Sequence, residues 1–168
     1  MDFIIRPVRQ SDAAGLAELR CMPGVFETTL GHPASRIEQT EKFLAGMGDN
    51  SFEFVAEAQG KVIGMAGITV FSGARLRHSA GFGIMVHREW QNKGVGTALM
   101  RAILDMADNW LMLERVELGV FADNVGAIRL YERMGFVVEG RKRRAAIKNG
   151  EYADEIIMAR LLSEQKKS

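Results

Sequence analysis

The chain has one cysteine, Cys21, and three histidines, His32, His78 and His87. A lone cysteine excludes an internal disulfide and a cysteine-rich zinc site, and it suits a reducing compartment. The histidines lack ligand spacing, so no metal site is expected. Net charge is nearly absent: 22 basic against 21 acidic residues leave +1, too little to recruit nucleic acid or an anionic membrane. No apolar run approaches the roughly 18 residues of a membrane span. Residues 1–8 show no basic segment leading into a long apolar one, so no signal peptide is expected. Repeats, low-complexity segments and internal linkers are missing too. What remains, 47% apolar and 26% charged residues, is the composition of a globular protein able to bury a core. The expectation is one cytoplasmic domain over residues 1–168, ending in a frayed polar tail at 163–168.

Phe3 to Val8 is short, branched and apolar and predicts a first strand. Ser11-Asp12 offers an N-cap for a helix carrying Ala14, Leu16, Ala17 and Leu19, which stops before Pro23-Gly24. After an aperiodic segment from Val25 to Pro33, Ser35 is placed to cap a second helix with Ile37, Phe43, Leu44 and Met47 as its apolar positions. Strands over Phe52–Ala58 and Val62–Phe71 join through Gly60, and His78–Val86 follows as a third. Gly81 and Gly83 are unusual inside a strand and predict a bulge or a close approach by another backbone or ligand. Val95, Leu99, Ile103, Met106 and Trp110 keep a helical period over four turns. Arg115–Phe121 is a strand with Val116, Leu118 and Val120 on one face. Asp123-Asn124 opens a helix through Ala127, Ile128, Leu130, Tyr131 and Met134 that Gly135 ends. Phe136-Val137-Val138 resumes strand, and Asn149-Gly150 predicts a hairpin of Arg143–Ile147 with Tyr152–Leu161. Only the strand, helix, strand unit from His78 to Phe121 implies a parallel crossover, so an α/β protein with a mixed sheet is expected.

The loop Gln91-Asn92-Lys93-Gly94-Val95-Gly96-Thr97 leads from that third strand into the long helix. A helix start carries unpaired N–H donors and about half a positive charge, which suits a pyrophosphate. A nucleoside-triphosphate loop would need its lysine after the last glycine, whereas Lys93 precedes Gly94. A dinucleotide fingerprint would need a small residue where Leu99 stands. The pattern Gln/Arg-x-x-Gly-x-Gly/Ala is matched at every specified position from Gln91 to Gly96.

About thirty residues on, Asn124 to Phe136 matches Asn-x-x-Ala-x-x-x-Tyr-x-x-x-Gly-Phe. With both signatures in order and a strand between them, the chain resembles the GCN5-related N-acetyltransferase (GNAT) superfamily over nearly its whole length. The resemblance implies a mixed, mostly antiparallel sheet of about seven strands flanked by four helices and splayed to form a coenzyme A cleft. It implies acetyl-CoA as co-substrate, with the pyrophosphate on Gln91, Asn92, Lys93, Gly94, Val95, Gly96 and Thr97. Ile84, Met85 and Val86 would offer strand-edge amides to the pantetheine, and Asn124, Ala127, Tyr131 and Arg133 complete the coenzyme-binding set. Tyr131 would be the catalytic proton donor to the departing thiolate, since a phenol stays protonated at neutral pH. Some relatives carry a glutamate base on the strand before the loop; here that strand reads Ala80-Gly81-Phe82-Gly83-Ile84, with no carboxylate. No base is assigned. Cys21 as a covalent acetyl carrier has no histidine near it in sequence.

Phe82–Val86, Asp108–Leu111 and the tail from Asn149 to Arg160 resemble a bacterial branch that acetylates free amino acids, with polyamine acetyltransferases as more distant relatives. Acceptor selection is assigned to Phe26, Glu27, Thr28, Thr29 and Leu30. The expected reaction is direct attack of a primary amine on acetyl-CoA, with the α-amino group of a free L-amino acid as the acceptor. Polyamine or protein N-terminal acetylation, and a coenzyme A-binding sensor without turnover, are the alternatives. A homodimer is expected from the resemblance. The basic run Arg141 to Arg144 reads as a solvated strand edge, with a contact to the coenzyme's 3′-phosphate or to a partner chain as the alternative.

Overall fold

The computed structural model describes residues 2–165. Its seven-stranded sheet has the order β1(Ile4–Pro7), β2(Ser51–Ala58), β3(Lys61–Val70), β4(Ser79–Val86), β5(Arg115–Phe121), β7(Glu151–Leu161), β6(Val137–Lys148). The helices are α1(Ala13–Arg20), α2(Ile37–Ala45), α3(Val95–Asp105), α4(Val125–Arg133) and the short α5(Leu162–Gln165). β4 and β5 run parallel, Ser79 to Gly81 against Arg115 to Glu117, while β1–β2, β2–β3, β5–β7 and β6–β7 are antiparallel. The α3 crossover therefore has the parallel geometry read from the sequence. Among the described residues no helix is long and apolar enough to cross a membrane.

By contacts the chain divides into two compact units, Met1–Thr69 with Gly83–Asp105, and Val70–Phe82 with Met106–Ser168. In the first, Val55 of β2, Met65 of β3 and Met85 of β4 form one core with Ala13, Leu16 and Leu19 of α1 and Leu44 of α2. α3 is bedded on β3 where Gly64 leaves room: a Cβ there would stand 3.0 Å from Leu99 Cδ1 and 3.4 Å from Val95 Cγ1. Strands β2 and β3 meet in a two-residue turn, Gln59 and Gly60 both with positive φ, as a tight hairpin twist requires. In the second unit Val116, Leu118 and Val120 are buried from β5, and Phe136 is buried beside Tyr131 and Phe82.

Several local expectations are corrected. Asp12 does not cap α1 through its side chain; the helical path begins at Gln10. The Asp12 carboxylate reaches back to Arg9 N (2.7 Å) and clamps Arg6 (2.7 and 2.9 Å). Ser35 does not cap α2, because its hydroxyl donates to His32 O while Gln39 Oε1 accepts from Arg36 N. Leu44 is buried as expected, but Ile37 and Phe43 are exposed and Thr40 turns inward beside Leu44. α3 ends at Asp105; Met106 to Trp110 make a wider π turn closed by Leu111 N on Met106 O, which leaves Trp110 76% exposed. Gly81 and Gly83 both lie inside β4 as expected, Gly83 with open space where a Cβ would stand. The strands expected over Phe136–Val138 and Arg143–Ile147 are not two pieces but one 12-residue β6 with register shifts at Val138/Gly140 and Lys142/Ala146. Its Asn149-Gly150 turn has the expected paired positive φ values. The tail is helical as far as Gln165: Leu162 is buried and Ser163 donates to Glu114, so only residues 166–168 of the expected tail lie outside the described residues.

Candidate active site

The loop before α3 turns through left-handed conformations at Asn92 (φ 58°) and Gly94 (φ 85°). The second is a conformation that glycine adopts without strain. The first outgoing helical bond is Ala98 N to Gly94 O (3.0 Å), so the N–H groups of Val95, Gly96 and Thr97 lead the helix. A Cβ at Gly94 would meet nothing within 4 Å, so the backbone there is open to an approaching group. Open backbone, leading N–H donors and the positive end of an 11-residue helix fit a pyrophosphate. Val95 turns its side chain into the core and has only backbone to offer. Lys93 Nζ lies 5.7 Å from the Trp90 ring centroid, and Trp90 meets Phe3 edge-on. The Gln91 side chain is occupied within the protein: Nε2 donates to Gly24 O and Val86 O, both at 3.2 Å. Gln91 thus ties Gly24, at the start of the flap formed by residues 24–33, to the end of β4.

Two bonds fix how β4 lies on β3: Phe71 N to Ser79 O and His87 N to Ile63 O. They share one antiparallel register, which sets Met85 opposite Met65 and Gly83 opposite Gly67. On the other side Met65 pairs with Val55 and Gly67 with Glu53. Side chains two apart share a face, so the row Glu53–Gly67–Gly83 lies beside the buried row Val55–Met65–Met85, on the face that carries α1. Glu53 leans across β3, since a Cβ on Gly67 would collide with its carboxylate. At Gly83 the same position is open space. Desolvation pushes the Glu53 carboxyl up to about 7, against the opposing pull of Arg20. The Arg20 guanidinium stacks 4.8 Å over the Phe43 ring. Sequence reading passed over Glu53, because nothing local says that it shares the inward face of Val55.

The flap residues are bound mainly to their own loop. Glu27 Oε2 accepts from Gly24 N (2.6 Å), Thr28 Oγ1 donates to Val25 O, and Thr29 Oγ1 donates to Phe26 O and accepts from Gly31 N. Phe26 is half-buried, while Leu30 is 81% exposed. The Cys21 thiol donates to Ser35 O.

In the second unit Asn124 Oδ1 accepts from Ala127 N (3.2 Å) and caps α4. Tyr131 is buried among aromatics, edge-on to Phe82 at 6.1 Å and tilted on Phe136 at 6.0 Å, and desolvation pushes its phenol up to about 12. Arg133 is exposed in the last turn of α4. A cavity of about 530 Å³ on this unit, lined by Ala122, Asp123, Arg141, Lys148, Tyr152 and Asp154 among others, contains none of the expected site residues. Among the described residues no cluster of three metal-ligating side chains occurs.

Comparison with known proteins follows the same outline. The Acetyltransferase (GNAT) family model matches residues 18–136. An L-amino acid N-acetyltransferase of Escherichia coli (strain K12) is 38% identical over 162 residues, 95% of this chain and 98% of that protein. A GNAT-family acetyltransferase from Streptococcus pneumoniae superposes with a TM-score of 0.83 at 27% identity, covering 96% and 99% of the two chains. Spermidine N-acetyltransferase from Vibrio cholerae, in complex with CoA and spermine, does so with 0.84 at 27% identity over 96% of each.

Proposed function

Because the chain belongs to the Acetyltransferase (GNAT) family and is an acetyl-CoA-dependent N-acetyltransferase, we propose that its acceptor is the α-amino group of a free L-amino acid. The observation that carries this reading is the 38% identity to an L-amino acid N-acetyltransferase across 95% of the chain. The flap agrees. A polyamine would call for several carboxylates there, and Glu27 already uses its own on Gly24 N. A polyamine is the second reading, supported by the likeness to the Vibrio cholerae enzyme solved with spermine.

The coenzyme supplies the activated acetyl thioester, and the protein's part is chiefly to hold and orient. In this reading the N–H groups from Gly94 to Thr97 receive the pyrophosphate. Met85 N–H points at β3, so the amides of Ile84 and Val86, on the opposite side of β4, receive the pantetheine and polarise the acetyl carbonyl. Gln91 acts by holding flap and strand together rather than by touching the coenzyme. Tyr131 gives its proton to the departing sulfur; a phenol pushed up to about 12 carries that proton throughout the working range. The whole of residues 1–168 is read as one acetyltransferase domain, cytoplasmic in keeping with the free thiol of Cys21. A homodimer is assigned through the terminal hairpin, where Val137, Val138, Ile147 and Tyr152 are exposed.

Thiol release from acetyl-CoA, followed against L-amino acids, polyamines and short peptides, tests the reading. Amino acids should give the highest kcat/KM. Release only with polyamines or peptides would replace the proposed acceptor, and release with no amine despite coenzyme binding would mean a sensor. Tyr131→Phe should lower kcat by about 10²-fold or more while coenzyme affinity holds; an unchanged kcat would remove Tyr131 as proton donor.

A further inference from the structure

Strand β4 carries no carboxylate, yet the first unit places one within reach of β4 from two strands away. Strand spacing is about 4.8 Å, and the Glu53 side chain leaves β2 and comes to rest over Gly67 of β3. The next position in that row is Gly83 of β4, where a Cβ would meet nothing within 4 Å. Glycine at both positions makes a shallow trough across two strands, walled on one side by Met65 and Met85 and ended by a carboxylate. Gly83 also immediately precedes the strand amides of Ile84 and Val86. We infer that Glu53 receives the proton of the acceptor ammonium seated over Gly83, as the general base of acetyl transfer.

This rests on the acetyltransferase reading above and supplies the group that β4 lacks. The balance is complete. An N–H bond of the ammonium breaks and its proton passes to a Glu53 carboxylate oxygen. The freed nitrogen lone pair forms the C–N bond to the acetyl carbon, and the C–S bond breaks with its electron pair going to sulfur. Tyr131 protonates that sulfur, the second proton that the nitrogen loses as the amide forms passes through water to restore the phenol, and the Glu53 carboxylic acid returns its proton to water. Glu53 is suited to the exchange because burial holds its carboxyl up to about 7, between an ordinary carboxylate and an ordinary amine. Arg20 at the end of α1 is the charged group acting on it. Gly67 adds no charge from β3, and Phe43 of α2 meets Arg20 through its ring.

The test is the pH profile of kcat/KM for wild type, Glu53→Gln and Gly67→Ala, with coenzyme affinity and melting temperature measured beside it. Wild type should show an acidic limb near pH 7. E53Q should lose that limb and fall about 10²-fold or more at neutral pH, with coenzyme affinity unchanged. G67A leaves Glu53 in the sequence but places a Cβ where its carboxylate rests, so it should reproduce the loss. An acidic limb retained in E53Q, or a uniform fall without change in the profile, overturns the inference. So does a fully active G67A. If E53Q does not fold, G67A carries the test alone. A wild-type protein that turns over no amine would fail the acetyltransferase reading instead, and the two failures are therefore distinct.

Discussion

Ionising Glu53 costs the folded state free energy, because the carboxyl lies over Gly67 and away from water. A carboxyl whose pKa is raised by folding binds its proton more tightly in the native state. The native state is therefore favoured at low pH and loses that advantage as pH rises from the ordinary glutamate range through about 7. E53Q should equal wild type near pH 4 and exceed it above pH 7.5 by about 1–2 kcal/mol in urea unfolding, less than the full shift because part of the side chain stays wet. Equal stability at both pH values would contradict the burial argument. Tyr131 behaves in the opposite functional sense: burial keeps its proton on, so no alkaline limb of kcat below pH 10 should vanish in Y131F. Tyr131 was legible from the sequence because its motif fixes it by spacing to Asn124, Ala127 and Gly135. Glu53 was not, because Phe52-Glu53-Phe54-Val55 alternates without saying which face is inward. The collision that Gly67 avoids exists only after β2 and β3 pair.

Among the elements, the turn over Met106–Trp110 departs most from the helical period read there. The π turn presents Asp108 to Arg160 of β7 as a bidentate pair at 2.7 and 2.8 Å, while Arg160 Nε also donates to Met134 O behind α4. One buried guanidinium thereby joins the turn, the last strand and the C-terminal end of α4. Asp108→Ala should destabilise the protein by about 2–4 kcal/mol, since it leaves Arg160 buried with its charge unanswered. A loss under 0.5 kcal/mol in chemical unfolding would show the pair to be dispensable. A periodic pattern read along one helix cannot contain this contact, which links residues 52 positions apart. The Asn149-Gly150 hairpin and the Gly135 stop were legible because their determinants are local backbone conformations, both realised as positive φ. The caps proposed for Ser11-Asp12 and Ser35 failed for the converse reason, since Arg6 and His32 O captured those side chains.

At the scale of the molecule, element order and the parallel pairing of β4 with β5 were readable, because each follows from the sequence of strands, helices and turns. The register that aligns Glu53, Gly67 and Gly83 was not, since it needs the distances between strands. The edge strand β6 answers its basic run with Arg141–Asp154 and Lys142–Glu155 pairs and two register shifts, devices that discourage indiscriminate edge pairing. Light scattering should report twice the monomer mass, and Ile147→Asp should reduce it to the monomer; a wild-type monomer at micromolar concentration would contradict the dimer assignment. The central claim is that acetyl moves from acetyl-CoA to an amino acid's α-nitrogen. Acetyl-CoA labelled with ¹³C at the carbonyl, incubated with an ¹⁵N-labelled L-amino acid and the protein, tests it by NMR. The account predicts a product carbonyl split by one-bond ¹³C–¹⁵N coupling that grows with time. An uncoupled acetate signal, or coupling that appears only with a polyamine, would contradict it.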